Sequence, residues 1–199
     1  MKTKLILLFL GAGLILSSCT KYPPSSERLL EDLVVITQYD TKIDFNNYHT
    51  YSLADKIVKI TNKDTVPMTG QTADAVLAKI DNNMQARGFL KVAATAKPDF
   101  GIQVLYYQNT TVYTYNYNWW GPYYPYYPYY PVYYSSYTTG MANIELIDLK
   151  VLNVNSQRVY IRWNAFIRGL LTGSHSTAEI VSKVDQAFIQ TPQLKTTAN

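Results

Sequence analysis

Two segments of the chain place apolar residues along one side of a helix. The first repeats them at intervals of three and four residues: Ala73, Val76, Leu77, Ile80 and Met84. This spacing predicts an amphipathic helix of about four turns that Thr72 caps and that Gly88 stops. The second segment opens with Ser176-Thr177-Ala178-Glu179, the sequence of a capping box, and ends before Pro192.

Six other segments carry the β-branched or alternating apolar residues that are typical of strands. They cover residues 33–39, 48–53, 89–93, 100–114, 142–152 and 158–168. The fourth is apolar on both faces, which predicts a central strand. The last two are expected to form a hairpin with one buried face, and a change of phase past Ile147 predicts a β-bulge. Residues 61–72 are polar, with one proline and one glycine, and are expected to be a loop.

The order of these elements predicts the fold class. It favours an α+β domain, in which a mostly antiparallel sheet has two helices packed on one face. We expect a single domain over residues 33–191, with a tyrosine- and proline-rich insert at 113–137 between two of its strands. The polar residues 192–199 are expected to form a flexible tail.

The first residues of the chain have the features of an export signal. Two lysines precede an apolar run at 5–16, which is too short to span a bilayer as a helix. The run ends in Leu16-Ser17-Ser18-Cys19, which looks like a bacterial lipoprotein box. We therefore expect a signal peptide at 1–18, lipidation of Cys19 by diacylglycerol and palmitate-type chains, and a tether at 19–32. The alternative is a secretory signal in which the cysteine stands by chance.

The charge and the residues around the single cysteine restrict which partners and which cellular location we expect. The formal charge is +4 and falls to +2 when the signal's two lysines are removed, which excludes a nucleic-acid surface. Cys19 is the single cysteine, so no disulfide can form within the chain. Thr20 follows it where aspartate commonly signals inner-membrane retention, and no acidic cluster comes next. This favours the outer membrane, with the domain facing the periplasm.

The insert has an unusual composition. It holds 12 tyrosines and two tryptophans in 25 residues, with prolines three apart from Pro122 to Pro131. This spacing suits polyproline II, which has three residues per turn. Its aromatic residues are a candidate surface for a glycan or an envelope protein: Trp119, Trp120, Tyr123, Tyr124, Tyr126, Tyr127, Tyr129 and Tyr130. The alternative is a low-complexity loop without a defined partner, or one folded back over the sheet.

The chain offers few residues for catalysis or metal binding. His49 and His175 are isolated in the sequence, so we expect no metal site and no cofactor. No nucleophile elbow, phosphate-binding loop or dinucleotide fingerprint is present. Glu31, Asp40 and Asp44 could supply paired carboxylates to a hydrolase, although solvated or capping roles are usual for such positions.

The second predicted strand of the hairpin carries three arginines. Arg158, Arg162 and Arg168 alternate with the apolar residues and are expected on one strand face, which is solvated or covered by a helix. An anion-binding patch is the alternative.

The chain resembles the domain of unknown function 4136 family, lipoproteins that are common in Gram-negative bacteria. The resemblance rests on several short motifs and their order: Tyr39-Asp40, the run from Asp44 to Tyr51, Arg87-Gly88-Phe89, Pro98-Asp99-Phe100, and Trp163 with Gly169. It covers about residues 33–189 and implies a lipid-anchored α+β domain. It implies no activity and no catalytic residues.

These observations favour a protein that binds or scaffolds, without enzymatic activity, and reaches the membrane through its lipid anchor. A glycan-binding module that uses the aromatic insert, and an envelope hydrolase that uses the three carboxylates, are the alternatives.

Overall fold

The computed structural model describes residues 33–61, 64–108, 111–115, 133–137, 140–153, 158–169 and 175–197. The strands within these ranges are β1 (Val35–Tyr39), β2 (Thr50–Leu53), β3 (Ile57–Ile60), β4 (Thr65–Met68), β5 (Leu90–Lys91), β6 (Phe100–Tyr107), β7 (Thr111–Tyr115), β8 (Tyr133–Tyr137), β9 (Met141–Asn153) and β10 (Arg158–Arg168). The described α-helices are α1 (Gln71–Ala86) and α2 (Thr177–Ile189). Neither of them is long and apolar enough to cross a membrane.

The main sheet has the order β5-β2-β6-β9-β10-β1, and β3 extends the line of β2 along β6. Strands β6, β9, β10 and β1 are antiparallel neighbours, whereas β2 and β3 both run parallel to β6. The sheet is therefore mixed, and the prediction of a mostly antiparallel sheet is wrong. The reason is the crossover through α1, which brings the chain back into β6 in the direction of β2 and β3.

Both helices pack on the same face of this sheet, as predicted. The buried side of α1 consists of the five residues that the spacing indicated, and α2 contributes Ile180, Val184, Ala187 and Phe188 to the same core. Trp163 of β10 lies in this core with its ring 5.0 Å from that of Phe188. Its indole Nε1 donates a hydrogen bond of 2.9 Å to Thr191 Oγ1. We call this side of the sheet the helix face.

The ends of the helices match the predictions in three of four cases. Ser176 and Glu179 form the reciprocal capping box, and the chain leaves α2 before Pro192. Gly88 adopts a φ of +89° just after α1. Thr72, however, does not cap α1, whose N-cap is Gly70. The hydroxyl of Thr72 instead lies 2.9 Å from that of Thr177, where it links the starts of the two helices.

The strands differ from the expectation in several places, and β3 falls outside all six predicted segments. Part of the segment expected as a loop forms β4, which pairs with β3 in a hairpin. The long strand ends at Tyr107, and β7 then pairs with β8 in a separate two-stranded sheet. The sequence did not indicate β4, because its first three residues are exposed and its four residues contain no apolar alternation.

The segment after α2 packs against the domain, which differs from the flexible tail that its polarity indicated. Leu194 is fully buried, and the backbone N–H of Thr196 donates to the carbonyl of Arg87 at 2.9 Å. A side chain at Gly88 would run into the carbonyl oxygen of Thr196. The glycine therefore serves both the positive φ and the close approach of this segment.

Candidate functional site

The side of the sheet opposite the helices, which we call the second face, combines apolar and polar residues. Four buried apolar residues of β3 and β6 form a small cluster there: Val58, Ile60, Leu105 and Tyr107. Beside it, polar residues from three neighbouring strands are aligned. Gln103, Glu145 and Asn164 occupy directly opposite positions on β6, β9 and β10, so their side chains share this face. Asn143 lies two residues before Glu145 on the same face. We call these four residues the polar row.

Glu145 is the centre of the polar row. It is 3% exposed, and each of its carboxylate oxygens accepts a hydrogen bond from a side-chain amide. Gln103 Nε2 donates to Oε2 at 2.6 Å, and Asn143 Nδ2 donates to Oε1 at 2.7 Å. Burial raises the pKa of Glu145 to about 7, although the bond from Gln103 opposes the shift. This carboxyl group therefore changes its charge close to neutral pH.

Three buried polar atoms on this face make no hydrogen bond to the described part of the chain: Asn143 Oδ1, Asn164 Oδ1 and Arg168 Nε. Two are acceptors and one is a donor, so each has lost its contact with water without gaining such a partner. A buried polar atom left unsatisfied costs about 1–3 kcal/mol. Buried polar atoms on the second face are therefore less well supplied with hydrogen-bond partners than those on the helix face. The carboxyl group of Glu145 can take up or release one proton.

A second group of charged residues lies near the middle of β9 and β10. Asp148 is fully buried and accepts hydrogen bonds from Tyr48 Oη and Arg162 Nε, both at 2.8 Å. Burial, with Asp148 as its partner, raises the pKa of Tyr48 to about 12. Arg162 Nη1 also pairs with Asp40 at 2.6 Å. These contacts join four segments of the chain, and both carboxylates have partners within the fold.

The register between β9 and β10 shifts at two places, and one of them is a bulge on β10. Ile161 pairs with Ile147 and Trp163 with Leu146, so the extra residue is Arg162 of β10. The bulge turns Arg162 towards Asp148. The other shift lies on β9 past Ile147, where the sequence predicts a change of phase: β9 advances five residues from Asp148 to Asn153 while β10 advances two, from Tyr160 to Arg158.

The prediction that the three arginines share one strand face is wrong for Arg162 and Arg168, the two whose side chains are described. Arg162 lies with Asp148, whereas Arg168 lies near the polar row. The physical reason is the bulge, since one extra residue reverses the alternation.

The structure gives the candidate carboxylates local partners. The backbone N–H of Lys42 donates to Asp40 Oδ1 at 2.9 Å. This bond, followed by the pairing with Arg162, lowers the pKa of Asp40. Asp44 caps the short 3₁₀ turn Phe45–Asn47 by accepting from the N–H of Asn46 at 3.0 Å. Glu31 lies outside the described residues.

Of the two histidines, His49 contacts the segment that follows α2. Its Nδ1 lies 3.2 Å from the hydroxyl of Thr196. Within the described ranges no three histidine, cysteine or acidic residues are grouped so that they could hold a metal ion. Cys19 and the aromatic residues from Trp119 to Tyr130 lie outside the described residues. Lipidation and the aromatic surface therefore stay predictions.

Sequence reasoning missed the polar row. The alternation in 142–152 marks Ala142, Ile144 and Leu146 as buried, which places Glu145 on the face expected to meet solvent. The structure buries both faces of β9 up to Asp148, so the prediction of one buried face is wrong. One feature of the sequence did indicate this burial. Both faces of β6 are apolar, and a strand that pairs with β6 shares its buried environment.

Comparisons with known proteins identify the family of this chain. The model of the domain of unknown function DUF4136 matches residues 35–193. The chain belongs to the DUF4136 family. The match includes both helices and every strand of the main sheet.

A solved structure of a family member agrees with this membership. A DUF4136 family protein from Bacteroides thetaiotaomicron is 30% identical, with a TM-score of 0.65 over 82% of this chain and 97% of that one. Two structures of PelC dodecamers from Paraburkholderia phytofirmans are each 12% identical over 84% of this chain and 100% of theirs, with TM-scores of 0.42 and 0.41. A likeness at that level does not bear on how this chain assembles. No curated protein matched the sequence.

Proposed function

We propose that this member of the DUF4136 family is a lipid-anchored envelope protein whose domain binds or scaffolds a partner on the periplasmic side of the outer membrane. The observation that carries the anchor is the sequence Leu16-Ser17-Ser18-Cys19 at the end of an apolar run of signal-peptide length. The domain that follows begins at β1, so residues 19–32 provide a tether between the lipid and the fold.

A role in binding is favoured over the carboxylate hydrolase because four of the described acidic residues have partners within the fold. Asp40 and Asp148 share Arg162, and Asp44 caps a 3₁₀ turn. Asp99 accepts from the backbone N–H groups of His49 and Thr50 at 2.7 and 3.0 Å. These carboxylates hold neighbouring segments of the fold together. The hydrolase and glycan-binding alternatives stay untested predictions.

The test of the anchor is incorporation of labelled palmitate, followed by partition between detergent and water. The protein with Cys19 is expected to take up label and to enter the detergent phase, because the thiol carries the lipid. Cys19→Ala removes that thiol and should abolish the label. Ser18→Ala is the matched control, since it keeps a small residue before the cysteine and should be labelled normally. Equal labelling of Cys19→Ala, or an unlabelled parent protein, would contradict the proposal.

The location is tested on the parent protein in intact cells. Density separation of membranes should place it with the outer membrane, and added protease should cleave it only after that membrane has been opened. Cleavage in intact cells would place the domain outside the cell and overturn the periplasmic orientation.

The role of the insert in binding is tested by replacing residues 116–132 with Asn-Gly. The replacement is possible because Tyr115 and Tyr133 are paired at the end of the β7–β8 hairpin, where a two-residue turn closes such a ladder. If the aromatic residues bind glycan, the parent should co-sediment with purified cell-wall glycan and the shortened protein should not. Equal co-sedimentation of the two proteins would show that the aromatic residues of the insert do not bind this glycan.

A further inference from the structure

Five of the ten residues of β7 and β8 are tyrosine. The two strands pair antiparallel in a two-stranded sheet that is separate from the main sheet. Alternate positions of a ladder share a face, so the register puts four tyrosines on one face of this hairpin: Tyr113, Tyr115, Tyr133 and Tyr137. We call it the tyrosine face. A two-stranded ladder alone is at most marginally stable in water, so this hairpin needs a surface to pack against.

The chain enters and leaves this hairpin at the end of the main sheet where β1 begins. Met141 is paired with Tyr107 on one side and with Arg168 on the other, and Arg168 N donates to Val34 O at 2.9 Å. Gly140 N donates to Tyr107 O, also at 2.9 Å. Three strand spacings, about 14 Å, separate Val34 from Tyr107. We call the end of the sheet marked by these residues the anchor end.

The proposed lipid at Cys19 joins the domain at this same end. Residues 19–32 precede β1, and a flexible linker of 14 residues has a root-mean-square end-to-end distance of about 20 Å. A ladder of five residues is about 17 Å long. The two lengths are similar, so a bilayer that holds the lipid is within reach of the hairpin. The opposite end of the sheet lies away from the anchor end by the length of β9, which is about 43 Å for 13 residues.

The sequence of the hairpin and its flanks suits the headgroup region of a bilayer. No aspartate, glutamate, lysine, arginine or histidine stands between residues 109 and 139. Tyrosine is enriched where proteins meet this region, because its ring is apolar and its hydroxyl forms hydrogen bonds. The opposite end of the sheet carries Lys42, Lys97 and Lys150, whose charges would lose hydration there. The hairpin is therefore the better match to lipid.

We infer that the tyrosine face lies against the phospholipid headgroups of the membrane that holds the lipid anchor. This inference rests on the anchor proposed above. The tether keeps the hairpin at a high effective concentration near the bilayer, so contacts that are individually weak can hold it there. The membrane would thus be bound at two places, by the lipid and by the hairpin.

The experiment measures which sites of the purified, lipidated protein lie against lipid. The sulfur of Cys19 carries the lipid, so an introduced cysteine takes a fluorescent label at one place. Ser135→Cys lies on the tyrosine face, and Ser136→Cys lies on the other face of the ladder. Lys42→Cys, in an exposed position beyond β1 at the opposite end of the sheet, reports the effect of anchoring alone. Each labelled protein is reconstituted into phosphatidylcholine vesicles, with and without brominated chains and free of glycan.

Bromine quenches a label that lies against the lipid. The label at Ser135 should be quenched about threefold more strongly than the labels at Ser136 and Lys42, because only the tyrosine face meets the bilayer. The vesicles carry no net charge, so attraction of lysines to lipid does not contribute.

Two variants test the tyrosines themselves. Replacing both Tyr115 and Tyr133, the pair at the end of the ladder, by serine should lower the quenching at Ser135 by about half, because it removes two of the four tyrosines. Tyr160→Ser is the control, since this exposed tyrosine lies on β10 and should leave the quenching unchanged. Thermal melting checks that both variants are folded.

Three results would overturn the inference. The first is a protein that stays with the vesicles while its label at Ser135 is quenched no more than that at Lys42. This result would leave the anchor in place and assign the tyrosine face to another partner, such as glycan or the domain itself. The second is equal quenching at Ser135 and Ser136. The third is a protein that does not stay with the vesicles, which would remove the anchor and this inference together.

Discussion

The two faces of the sheet differ in what they bury. The helix face packs Trp163, Phe100 and Phe188 into a continuous apolar core, and the one polar atom of Trp163 has a partner. The second face buries a carboxyl group, and amide oxygens close to it have no partner among the described residues. The helix face therefore stabilises the fold by burying apolar side chains, whereas the polar groups buried on the second face cost stability.

Burial alone therefore does not identify a stabilising core. An apolar side chain removed from water gains about 25 cal/mol per Å² wherever it lies, whereas a buried carboxyl group needs partners to offset its lost hydration. Glu145 has two amide donors, and its pKa is still raised to about 7. The partners therefore compensate only part of the cost.

The largest effect is expected on the helix face. Trp163→Ala should lower the free energy of unfolding by about 3–5 kcal/mol, because it leaves a large cavity beside Phe188 and frees the hydroxyl of Thr191. The measurement is denaturant unfolding at one pH. Tyr160→Ala on the same strand is the control, since that residue is 40% exposed and should cost no more than about 1 kcal/mol. Equal losses would show that the core is not centred on Trp163.

A smaller effect should follow removal of the charge from the second face. Glu145→Leu leaves the amides of Gln103 and Asn143 without an acceptor and should cost about 2–4 kcal/mol. Adding Gln103→Leu and Asn143→Val removes those amides as well and should restore most of the loss in the same unfolding experiment. A triple variant less stable than the single variant would mean that the polar row stabilises the fold as a unit.

The sequence predicted the helix face because its signals are local. The spacing of Ala73 to Met84 and the capping box at Ser176 each lie within one element, and both are confirmed. The parallel pairing of Tyr51 with Phe100 joins residues far apart in the chain, and no local pattern encodes it. Leu194 was missed for a similar reason, since one apolar residue in a polar segment gives no periodicity.

The polar row could not be predicted from alternation alone. Glu145 stands between Ile144 and Leu146, which is the pattern of a strand with one solvated face. Whether that face is buried depends on the strands beside it, and Leu105 and Tyr107 of β6 show that it is. The pairing of β6 with β9 was needed before those residues could be related to Glu145.

The mildest change, Glu145→Gln, should appear in the pH dependence of stability. The folded protein binds the proton of Glu145 more tightly than the unfolded chain does, because the pKa rises from 4.5 to about 7. The stability contributed by this proton is therefore complete below pH 4.5 and is lost as the pH rises to about 7. The loss amounts to about 3 kcal/mol at most.

Thermal unfolding between pH 5 and 8 checks this expectation. The parent should become less stable as the pH rises, and Glu145→Gln should flatten that dependence, because an amide does not titrate. The exposed Asp55→Asn is the control and should leave the slope unchanged. A slope that Glu145→Gln does not alter would assign the pH dependence to other groups.

The most direct test of a buried titrating carboxyl group is its own titration. The chain has four glutamates, so carbon-13 NMR of protein labelled at the glutamate side-chain carboxyl gives few signals, and Glu145→Gln identifies the one that belongs to Glu145. We expect this signal to titrate with a midpoint near pH 7, well above the ordinary value for a glutamate. A midpoint near 4.5, the ordinary value, would show that the carboxyl group is hydrated and would contradict the difference between the two faces.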